Sequence, residues 1–322
     1  MFPLIDLHQD LLLHIKERSL FDGNWQTDLS LNTRANVRAV VATAFPYIPG
    51  GDFFHSSVND LIEDYIDKYN EITKEKGSDW KIILNVEDLK GSVLDSGKRG
   101  IIISVEGMNK FDGTAEDWNM LNRWHEKGLR SIGMLWNDSN SLGGGALEPG
   151  MGLTPLGEEV ISWAESKGII IDLAHMNRKT FRESLSVIKK PAFVSHANSD
   201  TLCPSERNCD DDQLKLVAES GGVVGVFCGV KFLETEKQKA SIYSVVEHIK
   251  YIKNLIGVEH IGIGTDFGGL INGTPKGLSS VADIPDLWKA LTEYDFSEKD
   301  IELISFGNAF RVFKSHLSSG AV

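Results

Sequence analysis

The chain has 322 residues, 41% of them hydrophobic and 25% charged, which is the balance of a soluble globular protein with enough apolar material for a large core. Its 46 acidic against 33 basic side chains give a formal charge of −13, which disfavours nucleic acid or an anionic membrane surface as the main partner. Met1 to Asp10 lacks the basic region and cleavage site of a signal peptide, and no run approaches ~20 uninterrupted apolar residues, so neither leader nor membrane span is predicted and a cytoplasmic protein is expected. Cys203, Cys209 and Cys228 leave one thiol over in any pairing and show no CxxC spacing, which suits a reducing compartment.

Along the chain, the first apolar run, Leu4 to His8, ends in Ile5-Asp6-Leu7-His8-Gln9-Asp10. On an extended strand alternate side chains share a face, so His8 and Asp10 can aim an imidazole and a carboxylate at one point. A second strand is predicted at Arg38 to Ala44, followed by a helix over Val58 to Lys76 with Val58, Leu61, Ile62, Tyr65, Ile66, Tyr69 and Ile72 at helical spacing. Lys81 to Leu84 reads as an extra strand or a sheet edge. Gly100 to Val105 is a buried strand ending on Glu106, with a helix at Ala115 to Lys127 and a strand at Ser131 to Leu135 behind it.

The segment from Asn137 to Gly152 is a long loop whose Gly143-Gly144-Gly145 matches no phosphate-binding fingerprint and is expected to be flexible. A helix at Thr154 to Ser166 precedes the strand Ile169 to Ala174, which runs into His175. A helix at Arg178 to Ile188 precedes the strand Ala192 to His196. Helices at Asp211 to Glu219 and Ile242 to Ile256 then alternate with strands at Gly222 to Phe227 and His260 to Asp266, and the tail beyond Asp283 reads as helices.

Apolar runs bounded by Gly and Pro are the mark of strands buried on both faces of a parallel sheet. Eight of them alternating with helices over about 270 residues predict a (β/α)8 TIM-like barrel rather than an open sheet. No repeat, low-complexity tract or linker divides residues 1–322, so a single domain is expected, its C-terminal helices closing the barrel.

In such a barrel, chemistry belongs to the carboxyl ends of the strands. His8, Asp10, Glu106, His175, His196 and Asp266 all meet that rule, and imidazoles with carboxylates suit Zn2+, Mn2+ or Co2+. Five of these already exceed what one tetrahedral ion with an open position requires. A carboxylate such as Glu106 can bridge two ions about 3.5 to 4 Å apart that share and activate one water. His14, His55, His125, His248, His260 and His316 lack a strand-end context and read as surface or packing residues. Arg207 on its own reads as a surface ion pair with Glu206 or with Asp210 to Asp212.

The chain resembles the membrane dipeptidase (renal dipeptidase) family of metallopeptidases, among the amidohydrolase-like barrels. The resemblance is carried by Asp6-Leu7-His8-Gln9-Asp10, Val105-Glu106-Gly107, Asp172-Leu173-Ala174-His175, Ser195-His196-Ala197, Arg207-Asn208 and Gly262-Ile263-Gly264-Thr265-Asp266-Phe267. Gly152-Leu153-Thr154-Pro155-Leu156-Gly157 and Gly307-Asn308-Ala309-Phe310-Arg311-Val312-Phe313 also fit.

The resemblance implies two Zn2+ per chain, with other divalent transition metals as substitutes. His8 and Asp10 would hold one ion, His175 and His196 the other, with Glu106 bridging. Asp266 would be the catalytic acid/base and Arg207 the group that binds the substrate carboxylate. The animal members' substrate-binding His after the fourth strand is missing here, where Leu135-Trp136-Asn137-Asp138-Ser139-Asn140 stands, so Trp136, Asn137 and Asn140 are the expected substrate contacts. The family's Asp-Phe-Asp-Gly is here Asp266-Phe267-Gly268-Gly269.

The implied activity is hydrolysis of short peptides, dipeptides with a C-terminal D-residue included, through a hydroxide bridging the metals. The alternatives are an amidohydrolase for N-acyl amino acids or another small amide, and a barrel that binds metal without catalysis. The expected partner is a small peptide substrate, without nucleic acid or membrane, and a homodimer stays open as an assembly.

Overall fold

A computed structural model of the chain describes residues 2–13, 23, 25–46, 58–95 and 97–319. Among the described residues nine strands run parallel: β1 (Leu4–Gln9), β2 (Val37–Ala44), β3 (Trp80–Ile82), β4 (Arg99–Glu106), β5 (Leu129–Gly133), β6 (Ile170–Asp172), β7 (Phe193–Val194), β8 (Val223–Val226) and β9 (Ile261–Ile263). Their order is β2-β1-β9-β8-β7-β6-β5-β4, and β4 pairs back onto β2 to close an eight-stranded barrel.

The run at Lys81 to Leu84 becomes β3, which is outside that count. It pairs Trp80 to Ile82 with Arg99 to Ile101 on β4, while β5 takes the later residues, from Ile103 on. The strand expected at Ser131 to Leu135 begins and ends two residues earlier, because its ladder partners are Ile103 to Glu106 on one side and Ile170 to Asp172 on the other.

Between strands lie α1 (Leu29–Arg34), α2 (Val58–Lys74), α3 (Val86–Val93), α4 (Ala115–Glu126), α5 (Pro155–Ser166), α6 (Arg178–Val187), α7 (Asp211–Glu219), α8 (Val230–Leu233) and α9 (Ile242–Ile256). The tail folds as α10 (Ile284–Glu293), α11 (Glu298–Glu302) and α12 (Asn308–His316). In α2 the spacing read from the sequence is realised, with Val58, Ile62, Ile66, Tyr69 and Ile72 buried.

Strand residues Ile5, Leu7, Val41, Ile102, Phe193 and Val223 form one apolar cluster with Val312 and Phe313 of α12. The Asn308 amide donates to the carbonyls of Val258 (2.7 Å) and Ile261 (2.9 Å), fixing α12 at the start of β9. The last helix therefore closes the end of the barrel opposite the strand-end polar residues. Among the described residues no helix is long and apolar enough to cross a membrane, and all three cysteines are free and buried.

Candidate metal centre

The strand-end residues converge at the carboxyl mouth of the barrel. His8 is in β1 and Asp10 directly follows it, Glu106 is the last residue of β4, and His175, His196 and Asp266 follow β6, β7 and β9 by two or three residues. The β1–β2 register slips between Asp6 and Gln9, an irregularity of the kind that re-aims a side chain at the end of a strand. His8 Nε2 lies 3.8 Å from each of Asp10 Oδ2, Glu106 Oε2 and Asp266 Oδ1. The other oxygen of Glu106, Oε1, lies 2.9 Å from His175 Nε2 and 3.7 Å from His196 Nε2. Glu106 thus belongs to two trios, His8–Asp10–Glu106 and Glu106–His175–His196, each with ligand atoms within 4.8 Å of one another.

Two buried aspartates that the sequence reading left without a role hold this mouth in shape. Asp6 accepts from the backbone N–H groups of Thr265 (2.9 Å) and His8 (3.3 Å) and from the Thr265 hydroxyl (2.7 Å), tying the ends of β1 and β9. Asp172 accepts from the N–H groups of Ala174 (3.0 Å) and Ser195 (2.8 Å) at the ends of β6 and β7. Their signal was in the sequence, as an Asp two or three residues ahead of a ligand His.

His175 and Asp266 take φ of 65° and 59°, a left-handed backbone that costs a non-glycine residue about 1–3 kcal/mol and persists only where the surroundings impose it. Here the Asp266 N–H donates to the His8 carbonyl at 3.0 Å, and the His175 carbonyl accepts from Ala146 N–H at 2.8 Å. Gly268 has φ of 98°, and a Cβ on Gly269 would press on the carboxylates of Asp10 and Asp266.

Burial disfavours the carboxylate form of Glu106 and Asp266 and pushes both acids up, Asp266 well up. Burial, then the charges of Arg207 and His8, drives His175 and His196 well below the ordinary imidazole range. Burial also opposes charge on His8, but Glu106, Asp10 and Asp266 outweigh it and raise that residue to about 10.

A divalent transition metal fits this donor set on three counts. Neutral imidazoles and carboxylates are its ordinary ligands. His175 Nε2 and His196 Nε2 face each other at 3.2 Å, a crowding of acceptor atoms that a shared cation relieves. Asp10 Oδ1 is buried without a hydrogen-bond partner among the described residues.

Above the trios is a cavity of about 430 Å3 walled by Asp10, Glu106, His175, His196 and Asp266 together with Arg207, Trp136 and Asn137. Arg207, expected from its neighbours alone to form a surface ion pair, is buried instead, its guanidinium 5.6 Å from the Phe227 ring and its Nη2 without a partner among the described residues. The surface pairing belongs to Arg178, which meets Asp200 (3.1 Å) and Asp210 (3.0 Å).

Of the three expected loop contacts, Trp136 and Asn137 line the cavity, while Asn140 does not. Asn140 is buried and binds Asn109 Oδ1 (3.2 Å), the Met134 carbonyl (2.9 Å) and the Leu142 N–H (2.8 Å), so it shapes the loop. The glycines at 143–145 are a second correction: they are buried, and any Cβ at Gly144 or Gly145 would collide with the backbone of Met151 or of Asn137 and Asp138. They serve close packing rather than mobility. Phe45, Phe227, Lys231, Phe232 and Ile271 also wall the cavity, and no motif announced them.

The other described histidines stay outside the centre. His248 is buried between Ser199 N–H and the Leu233 carbonyl, His316 binds the Pro191 carbonyl, His260 binds the Gly222 carbonyl and His125 is half-buried. His14 and His55 lie outside the described residues.

Compared with known proteins, residues 1–319 match the family model for membrane dipeptidase, peptidase family M19. An uncharacterised dipeptidase of Schizosaccharomyces pombe is 30% identical over 335 aligned residues, covering 98% of this chain and 81% of that protein. The dipeptidase aclJ of Aspergillus oryzae is 32% identical over 220 residues, 67% of this chain and 51% of the relative. Among solved structures, a metallopeptidase from Rhodobacter sphaeroides liganded with a phosphinate mimic of the dipeptide L-Ala-D-Ala superposes with a TM-score of 0.88 at 21% identity, covering 98% of this chain and 99% of that one.

Proposed function

The chain belongs to the membrane dipeptidase family, peptidase family M19, and from that membership and the strand-end centre we propose that it is a metal-dependent dipeptidase whose substrates include dipeptides with a C-terminal D-residue. The reading rests above all on Glu106, one oxygen of which faces His8 and the other His175 and His196. Two Zn2+ would be held by His8, Asp10 and Glu106 on one side and by Glu106, His175 and His196 on the other. Bound there, the ions supply an acidified water and polarise the scissile carbonyl.

The chain's own groups do the rest. Asp266 Oδ1 lies 3.8 Å from His8 Nε2, and its ligand atom is within 4.8 Å of both His8 and His196, one residue from each trio. From there it can take a proton from the attacking water and return it to the departing amine nitrogen. Arg207 offers a planar fork, one nitrogen of it unpartnered, to the free carboxylate of a short substrate. Trp136 and Phe227 give the substrate's side chains an apolar wall. Residues 1–322 would act as one catalytic unit.

Hydrolysis of matched L,L and L,D dipeptides and N-acyl amino acids by zinc-loaded protein, before and after chelation, tests this reading. Cleavage of free dipeptides that chelation abolishes and zinc restores is expected. Turnover of N-acyl amino acids alone, or indifference to chelation, would contradict it.

A further inference from the structure

The two trios are not equally well held. The His175 ring is fixed from behind, its Nδ1 lying 2.9 Å from Asn137 Oδ1. An amide oxygen only accepts, so Nδ1 carries the proton and the Nε2 lone pair is left for the centre. The His196 ring is fixed in the same way, with Nδ1 2.7 Å from Ser195 Oγ. A serine hydroxyl can accept there as well as donate, and Ser195 is itself held by its backbone N–H, which donates to the Asp172 carboxylate at 2.8 Å.

Among the described residues His8 has no such support. Thr43 Oγ1 is 3.4 Å from both ring nitrogens and Ser195 Oγ is 3.5 Å from Nδ1, all at the far limit of a hydrogen bond. Its companion Asp10 has Oδ1 with no partner among the described residues. One half of the centre is oriented in advance of binding, and the other must be organised by the ion itself.

Resting on the two-ion reading above, we infer that the halves differ in affinity. The Glu106–His175–His196 half fills first and holds its ion tightly, the His8–Asp10–Glu106 half fills second and exchanges, and Asn137 and Ser195 are the positioning residues that create the difference. Asn137 then acts on the ligand His175 and is more than a wall for the substrate. Removing an outer partner of a ligating His typically costs about ten- to a hundred-fold in metal affinity, so the effect falls on the tighter step.

Co2+ titration of chelator-stripped protein tests this, followed by the visible absorption of the bound cobalt and by competition with a chromophoric chelator. The intact chain should bind two ions in two resolved steps. Asp10→Asn should remove the weaker step and leave the tighter one intact. Asn137→Ala should weaken the tighter step by about ten- to a hundred-fold, whereas Asn137→Asp, which keeps an acceptor oxygen, should restore it. Asn137 is half-buried and its backbone carbonyl alone binds Leu147 N–H, so the alanine variant keeps that loop contact. Two ions of equal affinity, or an Asn137→Ala variant whose tighter step is unchanged, would overturn the inference and leave the two-ion reading standing. Uptake of fewer than two ions by the intact chain would overturn both.

Discussion

Glu106 stands where two trios of candidate ligands meet, and Asp266 and Arg207 wall the same cavity. For Asp266→Asn the fold and metal content should persist, since an amide still fills the position. kcat should nevertheless fall by about 10²- to 10⁴-fold, the usual worth of a positioned acid/base. Turnover within a few-fold of the unaltered protein would make Asp266 a structural residue. Arg207→Ala removes a buried charge, and kcat/KM for free dipeptides should drop by about 2–4 kcal/mol in transition-state terms. The loss should be much smaller for the corresponding dipeptide amides, and a ratio of acid to amide that does not change would sink the carboxylate role. The convergence of the candidate ligands was legible in the sequence because each ends an apolar run, a position that barrel geometry turns into proximity. The positions of Asn137 and Ser195 behind the histidine rings were not legible, because they depend on ring orientation and on contacts between different strands.

The strands were readable because full burial leaves near-continuous apolar runs, whereas α1, α3 and α8 went unread. Leu29–Arg34 is six residues with Ser, Asn and Thr inside it, Val86–Val93 carries Gly91, and Val230–Leu233 is four residues long, too short for a periodic stripe. Loops follow another logic, close backbone packing, which is why Gly143-Gly144-Gly145 looked flexible and is tightly seated. The loop carrying Arg207 is pinned to α8: Asn208 donates to the Phe232 carbonyl (3.0 Å), and His248 accepts from Ser199 N–H (3.1 Å) while donating to Leu233 (3.1 Å). That arrangement needs neutral His248, and burial lowers it from 6.5 to about 4. A lowered imidazole contributes stability that is present above its unfolded value of 6.5 and is lost as pH falls towards 4. Thermal unfolding of the chain should therefore shift downward by several degrees over that window, and His248→Gln should flatten the slope. An equally steep acid loss in the variant would remove His248 as a cause.

Across the whole molecule, the barrel gathers buried Asp10 and Glu106 and half-buried Asp266 into one place in a chain already carrying −13. Without a cation, His8 and Arg207 answer them, and His8 is raised from 6.5 to about 10. Stability from a raised imidazole is complete below 6.5 and disappears as pH rises through about 10, and the raised acids Glu106 and Asp266 act in the same direction. Calorimetry of chelator-stripped protein should show Tm falling between pH 7 and 10, with zinc raising Tm most at the alkaline end, and a stripped protein that gains stability there would contradict this balance. The family was legible from end to end of the chain because its motifs fall at strand ends and helix caps, where the barrel leaves few substitutes. Thr154, for example, caps α5 with Pro155 at its first turn. The central claim, a dipeptidase centre completed by two ions that share Glu106, is tested most directly by titrating zinc into stripped protein while following hydrolysis of one free dipeptide. Activity should be absent at the start and reach its plateau only as the second equivalent per chain is bound; a plateau at one equivalent, or full activity with none, would contradict it.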